Sequence, residues 1–320
     1  MNVAKYPAAL ALIAAAVLAG AQAFAQQAEW PRTVTHEAGA LVLEKPPQRV
    51  VSTTPSVTGI LLAIGAPLVS SAATTPSILT DDKGFFSQWA DIADERNIGI
   101  LYSNLRFDPE AVIGANPDLL VVSATGADSA VQHYAELEAQ GIPTLVVNYS
   151  NQRWQEIATK LGEATGLEAG AADAIKRFNE YAAQVAATLK APQTPVSIVG
   201  YNLGGSFSIA IPESPHAQLL SSLGFTVAGL PQSLMSQVTR RSDFEFISRE
   251  NLSAAISGET VFLLNGTDAD VKAFLADPVL ANLPAVRNRQ VYPLGPTSFR
   301  IDYYSGRQMI DMVALNFRAP

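Results

Sequence analysis

The chain has 320 residues, 48% hydrophobic and 16% charged, so it can bury a sizeable core and is not expected to be disordered. It contains no cysteine, which excludes disulfides, thiolate metal sites, cysteine catalysis and a lipid anchor on an N-terminal cysteine. The formal net charge of −8 argues against nucleic acid or an anionic lipid surface as a partner.

Residues 1–25 have the pattern of a cleaved secretory signal peptide. Lys5 supplies a positive charge, Ala8–Ala21 is an apolar run, and Ala23-Phe24-Ala25 is an A-x-A cleavage site. The apolar run is short for a membrane span, which needs about 20 residues. We therefore expect cleavage after Ala25 and a soluble protein in a bacterial periplasm.

The next part of the chain predicts a small hairpin followed by alternating strands and helices. Thr33–Glu44 alternates apolar and polar residues around Gly39, as hairpins do. Ser56, after Pro55, is expected to cap the first helix, and Gly65 to end it. The expected strands are Arg49–Thr53, Leu68–Ala72, Asp118–Ser123 and Thr144–Asn148, and the expected helices are 56–66, Asp108–Ile113, Ala127–Gln140 and Trp154–Thr165. This alternation predicts a parallel sheet covered on both faces.

Glu168–Lys190, near the middle of the chain, predicts one long amphipathic helix. Its apolar residues recur at intervals of three and four, and Pro192 prevents the helix from continuing further. At about 1.5 Å per residue, the helix would be roughly 35 Å long. We interpret it as a rigid strut between two lobes; the alternative is an ordinary core helix of one large domain.

The alternating pattern restarts after this helix. The expected strands are Val196–Tyr201, Ser206–Ile211, Thr260–Leu264 and Gln290–Leu294, and the expected helices are Ser214–Leu223, Asn251–Ile256, Asp268–Ala276 and Asp302–Phe317. The predicted fold class is therefore α/β, with two Rossmann-like lobes joined by one long rigid helix. The predicted division is a signal peptide 1–25, an N-terminal lobe 26–167, a connecting helix 168–190 and a C-terminal lobe 191–320.

An internal repeat supports two similar lobes. In each half a glutamate, Glu110 or Glu250, stands near the start of a short helix. Eight or nine residues later an acidic residue, Asp118 or Glu259, leads into a buried strand. Because ligands of open α/β sheets bind beyond the carboxyl ends of the strands, two such lobes predict a binding cleft between them.

Several strings resemble the periplasmic substrate-binding proteins of iron-siderophore ATP-binding-cassette importers. They include PPQRVVSTTPSVTGILLAIGAP, FDPEAVIGANPDLLVVSATG, ENLSAAISGETVFLL and LPAVRNRQVYPLG, so the resemblance covers essentially the whole mature chain. The strings STTPSVTG, DDKGFFSQWA, SATGADSA and SFRIDYYS are most similar to members that bind ferric enterobactin.

This resemblance implies capture of an anionic ferric catecholate siderophore, with ferric enterobactin as the expected ligand, and its delivery to an ABC permease in the inner membrane. It also implies that Glu110 and Glu250 dock onto permease arginines, although both glutamates suit helix N-termini as well. The long helix predicts a small hinge motion. No cofactor and no direct protein–metal bond is expected, since the siderophore holds the iron, and we expect a monomer.

An anionic complex with aromatic faces requires fixed cations and stacking surfaces, and arginine offers both charge and a planar surface. In the resemblance, Arg300 in SFRIDYYS matches a ligand-side arginine of the family. Arg241 and Arg240, in a loop of the second lobe, and Arg106, in a loop of the first, are further candidates. The remaining ligand-binding candidates are Phe207, Phe299, Tyr303 and Lys83.

The chain differs from enterobactin-binding members at two expected contacts. The loop Thr74–Asp82 has no basic residue, and Ile209–Ser214 has no tryptophan nearby. Gly59 also stands where many relatives have an acidic residue. Another catecholate, another iron chelate, haem and cobalamin are therefore alternatives within the same fold.

An enzyme is the more distant alternative. The chain has no nucleophile elbow and no Gly-rich phosphate loop. His36, His133 and His216 are scattered without metal-ligand spacing, which also argues against a zinc or manganese importer.

Overall fold

The structure is a computed structural model that describes residues 29–150, 152–202, 206–237, 239–241 and 243–319. Side chains 237 and 239–241 are outside this description. The predicted signal peptide, 1–25, lies outside the described residues. No helix in the described ranges combines the length and apolar character needed to cross a membrane.

The N-terminal lobe begins with a hairpin and continues as a five-stranded parallel sheet. Its strands are β1 (Arg32–His36), β2 (Gly39–Leu43), β3 (Val50–Ser52), β4 (Leu68–Ser71), β5 (Gly99–Ile100), β6 (Leu119–Ser123) and β7 (Thr144–Val147). Its helices are α1 (Pro55–Ala63), α2 (Ala90–Glu95), α3 (Pro109–Ala115), α4 (Tyr134–Ala139) and α5 (Trp154–Thr165), with a 3₁₀ turn at Val131–His133. The sheet order is β5-β4-β3-β6-β7, and every pairing in it is parallel.

The start of α1 differs from the expected arrangement. Thr54, not Ser56, is the N-cap residue, because Pro55 already occupies the first helical position. The carboxylate of Asp128 accepts a hydrogen bond from the Ser56 backbone N–H at 3.1 Å. A distant residue thus satisfies a donor at the helix start, where four backbone N–H groups have no partner inside the helix.

Helix α6 (Glu168–Ala186) connects the two lobes. Its buried residues are Ala171, Ala174, Phe178, Ala182 and Val185, on the predicted stripe. The helix is four residues shorter than predicted, about 28 Å at 1.5 Å per residue. It ends early because the chain turns to meet the C-terminal segment, where the Lys190 N–H donates to the Phe317 carbonyl at 2.8 Å.

The C-terminal lobe contains a six-stranded mixed sheet. Its strands are β8 (Val196–Asn202), β9 (Ser206–Ala210), β10 (Thr239–Arg241), β11 (Phe244–Ile247), β12 (Thr260–Leu264) and β13 (Val291–Pro293). Its helices are α7 (Pro215–Ser222), α8 (Arg249–Ala255), α9 (Asp268–Ala276), α10 (Pro284–Arg287) and α11 (Tyr303–Phe317), with 3₁₀ turns at Gln232–Gln237 and Pro296–Phe299. The order is β10-β11-β9-β8-β12-β13.

Half of this second sheet is antiparallel, which corrects the expectation of a parallel sheet in both lobes. β8, β12 and β13 are mutually parallel, but β9, β11 and β10 continue the sheet with antiparallel pairings. Arg240 and Arg241 therefore lie on an outer strand of a hairpin, not in a loop; Arg241 pairs with Phe244. The sequence does not predict β10 and β11, because strands of three and four residues are too short to show a clear alternation of apolar and polar residues.

The predicted repeat is present in the two sheets. In each lobe a short helix, α3 or α8, leads into a strand beside the first strand of the sheet. The Asp118 N–H donates to the Arg49 carbonyl at 3.1 Å, and the Glu259 N–H donates to the Pro195 carbonyl at 3.0 Å. These matching bonds fix the same strand register in both halves.

One hydrophobic core extends through both lobes and α6. It contains Leu119 from the N-terminal sheet, Phe178 from α6, and Ile198 and Phe262 from the C-terminal sheet. Helix α11 packs against α6 and α1, so it bridges the same boundary. The two sheets are separate, but a single hydrophobic core packs against both of them.

Candidate ligand-binding cleft

A cleft of about 740 Å³ lies between the lobes, at the carboxyl ends of β8 and β12. This is the position that open α/β sheets offer to ligands. The C-terminal lobe contributes Gly200–Asn202, Leu263–Gly266, Phe244, Phe246, Phe299 and Arg300, among others. The N-terminal lobe contributes the loop residues Ser77, Ile78 and Leu79. The cleft therefore has walls from both lobes.

Arg300 places a positive charge at the floor of this cleft. It follows the 3₁₀ turn Pro296–Phe299 and is half-buried. Its guanidinium carbon lies 4.2 Å from the ring centroid of Tyr149, within cation–π distance. Within the described chain its Nε atom is buried without a hydrogen-bond acceptor. Because this Nε atom is itself buried, any donor capacity left for another molecule belongs to the terminal nitrogens of the guanidinium.

Tyr149, two residues beyond β7, connects Arg300 to the N-terminal lobe. Its side chain is buried, and its hydroxyl donates to the carboxylate of Asp128. That carboxylate also accepts from Thr54 Oγ1 at 2.6 Å. Burial, followed by the nearby Asp128 charge, raises the pKa of Tyr149 well above its usual value of about 10, while Arg300 opposes the change. Tyr149 is therefore a neutral donor at all ordinary pH values.

Two further ionisable groups lie beside Arg300. Asp243 is 9% exposed and lines both the cleft and a small adjoining cavity. Burial raises the pKa of Asp243 to about 6, and the Arg300 charge partly opposes this. His216 lines the same small cavity, and burial lowers the pKa of His216 to about 4. Its Nε2 atom lies 2.7 Å from the Ser298 carbonyl oxygen.

Aromatic and aliphatic side chains form the apolar part of the cleft surface. Phe299 lines the cleft, and its ring packs edge-on against Phe86 with centroids 4.8 Å apart. Phe244 and Phe246 extend the apolar surface along β11. Ile78 is 86% exposed at the rim, a high value for an aliphatic side chain. These surfaces can contact the aromatic faces of a bound molecule.

The structure places the other two predicted aromatic contacts, Phe207 and Tyr303, in two different environments. Phe207 is 5% exposed and packs in the core against Tyr201, so it supports the cleft wall from behind. Tyr303 lies among Trp154, Phe178 and Arg177 near α6, away from the cleft lining. Their positions differ from the expected exposure to ligand, because both rings find apolar partners inside the protein.

Of the remaining predicted cations, Arg106 and Lys83 are not among the residues that line the cleft, and the side chains of Arg240 and Arg241 lie outside the description. Arg106 is exposed near the start of α3. Lys83 pairs with Asp81 at 3.5 Å and with Asp94, which reduces its availability to an anion. The backbone of Arg240 and Arg241 lies on β10, adjacent to β11, which lines the cleft.

The two predicted docking glutamates occupy equivalent exposed positions. Glu110 lies in the first turn of α3, and Glu250 in the first turn of α8. A hydrogen bond from Ser248 is the main cause that lowers the pKa of Glu250. Both side chains are exposed and therefore open to a partner.

The described residues contain no cluster of three or more His, Asp or Glu side chains placed to hold a metal ion. The cleft instead combines a cation, hydrogen-bonding groups and aromatic rings. Such a surface suits recognition of an anionic organic molecule by charge and stacking.

Two α/β lobes, a connecting helix and a cleft across their boundary define a bilobal ligand-binding protein. The chain belongs to the periplasmic binding protein family, whose sequence profile matches residues 50–297. This finding confirms the predicted family and fold class.

Individual relatives match over nearly the full length. The chain is 42% identical over 311 residues to the ferric enterobactin-binding periplasmic protein FepB of Escherichia coli O6:H1, covering 96% of this chain and 97% of FepB. The crystal structure of holo-ViuP superposes with a TM-score of 0.82 at 40% identity, covering 91% of this chain and 96% of ViuP.

A more distant solved structure shows the same fold. The periplasmic catecholate-siderophore binding protein VctP of Vibrio cholerae has a TM-score of 0.63 at 17% identity, covering 89% of this chain and 99% of VctP. The architecture is therefore retained when most of the sequence differs.

Proposed function

We propose that this chain is the periplasmic component of an ABC importer that captures a ferric catecholate siderophore, with ferric enterobactin as the expected ligand. The observation that carries the ligand class is the Arg300 guanidinium, held at the floor of an aromatic-lined cleft. The full-length similarity to FepB and ViuP supports this assignment.

The physical properties of the cleft agree with such a ligand. Its volume of about 740 Å³ falls within the range of about 300–1,000 Å³ typical of small-molecule sites. An anionic chelate would gain more from Arg300 than from a surface arginine, because water screens a half-buried charge less. Phe244, Phe246 and Phe299 would contact the flat catechol rings.

Cations outside the cleft lining would add to the recognition of the ligand's negative charge. Arg240 and Arg241 on β10, Arg106 near α3, and Lys83 are the candidates that we retain. We propose that they guide the anion toward Arg300, since the net charge of the chain is −8 and a local positive field is needed. Phe207 and Tyr303 would act by supporting the cleft from the protein interior.

Delivery would use Glu110 and Glu250. Their matching positions on the two lobes suit a permease with a positive residue opposite each lobe. The named relative is periplasmic, which supports export of this chain after cleavage at Ala25. We propose that the protein acts as a monomeric carrier without catalytic activity.

A titration panel tests the proposal. The purified mature protein is titrated with ferric enterobactin, a linear ferric catecholate, a ferric hydroxamate, haem and cobalamin, and intrinsic fluorescence is followed. We expect saturable quenching with ferric catecholates at far lower concentration than with the other three classes. Tighter binding of the hydroxamate, haem or cobalamin would disprove the ligand class.

A further inference from the structure

The contact between Tyr149 and Arg300 crosses the boundary between the two lobes. Tyr149 follows β7 of the N-terminal lobe, and Arg300 follows the 3₁₀ turn of the C-terminal lobe. The guanidinium carbon lies 4.2 Å from the centre of the ring, so the cation rests on the ring face. Arg300 lines the cleft, and the buried Tyr149 lies behind it and lines the small adjoining cavity.

Neighbouring residues of the N-terminal lobe fix the position of the Tyr149 side chain. Its hydroxyl donates to Asp128, whose carboxylate is itself held by Thr54 Oγ1 at 2.6 Å and the Ser56 N–H at 3.1 Å. Gly126 leaves room for the hydroxyl, because a Cβ atom at that position would overlap it. The ring plane is thus set by the N-terminal lobe before any ligand arrives.

Arg300 has few other restraints on its side chain. The Ser305 hydroxyl donates to the Arg300 backbone carbonyl at 2.6 Å, which fixes the main chain but not the guanidinium. In the described part of the chain no carboxylate lies within ion-pair distance of this group, and its Nε atom has no acceptor. Asp243 acts on the guanidinium through its charge without an ion-pair contact, whereas the face of Tyr149 is in direct contact with it.

We propose that Tyr149 is a positioning residue that orients the Arg300 guanidinium toward the anionic oxygens of the ligand, so that both lobes share the cation that receives the charge. This inference rests on the proposed function for the identity of the ligand. It assigns Tyr149 no direct ligand contact: the ring covers one face of the guanidinium, and the opposite face and free edge remain for the chelate.

A double-mutant cycle separates this role from a direct or merely structural one. The variants are Tyr149→Leu, Arg300→Ala and the double mutant, each titrated with ferric enterobactin. We expect Tyr149→Leu to weaken binding about tenfold in the wild-type background, as loss of a partly desolvated cation–π contact would. In the Arg300→Ala background the same change should have no further effect. Equal weakening in both backgrounds, or none in the wild type, would overturn the proposal.

Two further variants serve as controls. Tyr149→Phe keeps the ring and removes only the hydrogen bond to Asp128, so a loss of only about twofold is expected and folding is preserved. Tyr181→Leu removes a second tyrosine that carries an arginine on its ring: the guanidinium carbon of Arg307 lies 3.9 Å from the Tyr181 ring centre. Neither residue lines the cleft. Affinity should be unchanged in this variant, and a loss similar to that of Tyr149→Leu would contradict the proposal.

A measurement without ligand distinguishes this inference from the proposed function. In the free protein the Arg300 Nε–H resonance should be shifted by the ring of Tyr149. Both Tyr149→Leu and Arg300→Ala should remove this shifted signal, and Tyr149→Phe should retain it. If the wild type binds no ferric catecholate, the proposed function is wrong; if the resonance is insensitive to Tyr149, the positioning role is wrong.

Discussion

Arg300 combines partial burial with unused donor capacity, and this combination sets its expected contribution to binding. A surface arginine loses much of its attraction to solvent screening, with a Debye length of about 8 Å at physiological ionic strength. Arg300 lies on the ring of Tyr149 and lines the cleft, and among the described residues its buried Nε atom has no acceptor.

Arg300→Ala is expected to weaken ferric-catecholate binding by about 10- to 100-fold, which corresponds to loss of one charged hydrogen-bond partner. Fluorescence titration measures the effect. Arg177→Ala is the matched control, because Arg177 is exposed on α6 and pairs with Asp173 at 3.1 Å. Equal affinities of the wild type and the Arg300 variant would refute the site assignment.

Asp243 and His216, both buried beside Arg300, give the folded protein opposite responses to pH. The folded-state pKa of Asp243, about 6, lies above its ordinary value of 3.8. Its neutral form therefore favours folding at low pH, and that contribution is lost as the pH rises through 6. The pKa of His216 is lowered from 6.5 to about 4, so stability is lost as the pH falls through that interval.

Asp243→Asn should remove the first of these responses. Relative to the wild type, the variant is expected to become progressively more stable between pH 4 and pH 7. The gain should be about 1–2 kcal/mol at pH 7, since water reaching the cleft reduces the cost of the buried charge. Urea unfolding across this pH range measures it. A difference between the two proteins that is independent of pH would contradict the assigned pKa.

At the residue scale, the sequence predicts which cation lies at the cleft but not what surrounds it. Arg300 follows a predicted strand and lies within the string SFRIDYYS, so the sequence predicts its place near the cleft. Tyr149 also follows a strand, β7, and the rule that ligands bind beyond the carboxyl ends of strands gives a signal for it. Nothing local indicates that its ring faces Arg300, which is 151 positions away, since that contact depends on how the lobes pack.

Helices α1 and α11 approach each other closely where the lobes meet. Asp302, 2% exposed, caps α11 by accepting from the N–H groups of Tyr304 and Ser305 at 2.7 and 2.8 Å. A Cβ atom on Gly59 of α1 would lie 2.6 Å from the Asp302 carboxylate and 2.8 Å from Trp89. The absence of a side chain at position 59 permits this helix contact.

Gly59→Ala is therefore expected to destabilise the protein by about 1–3 kcal/mol, as overpacking of a buried contact does. Thermal unfolding should show a clear decrease in Tm. Gly114→Ala is the control, because Gly114 lies in α3 with no atom within 4 Å of its Cβ position. The control should be neutral or slightly stabilised, since alanine favours helix more than glycine. An unchanged Tm for Gly59→Ala would show that the helices separate freely.

At the element scale, long periodic segments are predicted better than short ones. Helix α6 begins at the predicted residue, and the β1–β2 hairpin and repeated α3–β6 and α8–β12 units have the expected order. The β10–β11 hairpin is missed because strands of three and four residues carry almost no periodic signal. The antiparallel β8–β9 pair joins two strands that the sequence does predict, so what is missed there is the direction of pairing.

At the scale of the whole molecule, the two predicted docking glutamates are carried by lobes that share one hydrophobic core. Glu110 and Glu250 are exposed on separate lobes, and the lobes share one hydrophobic core through Phe178. Their separation is therefore expected to change little, and under the proposed docking role a permease would gain from two linked contacts.

The double variant Glu110→Ala with Glu250→Ala should bind ferric catecholate as the wild type does but support much slower uptake. Ligand titration and uptake of labelled iron by cells lacking their own binding protein measure the two properties. A matched control replaces Glu180, exposed on α6, which should leave uptake unchanged. Normal uptake in the double variant would refute the docking role.

The shared core also determines when the chain is able to fold. Helix α11 supplies Met309, Ile310 and Val313 to the same core as Ile60 of α1. The N-terminal half therefore cannot complete its interior until α11 has been synthesised, although its own sheet precedes that helix by more than 150 positions. Contacts of such long range form slowly. The order of elements therefore places completion of the N-terminal core after synthesis of nearly the whole chain.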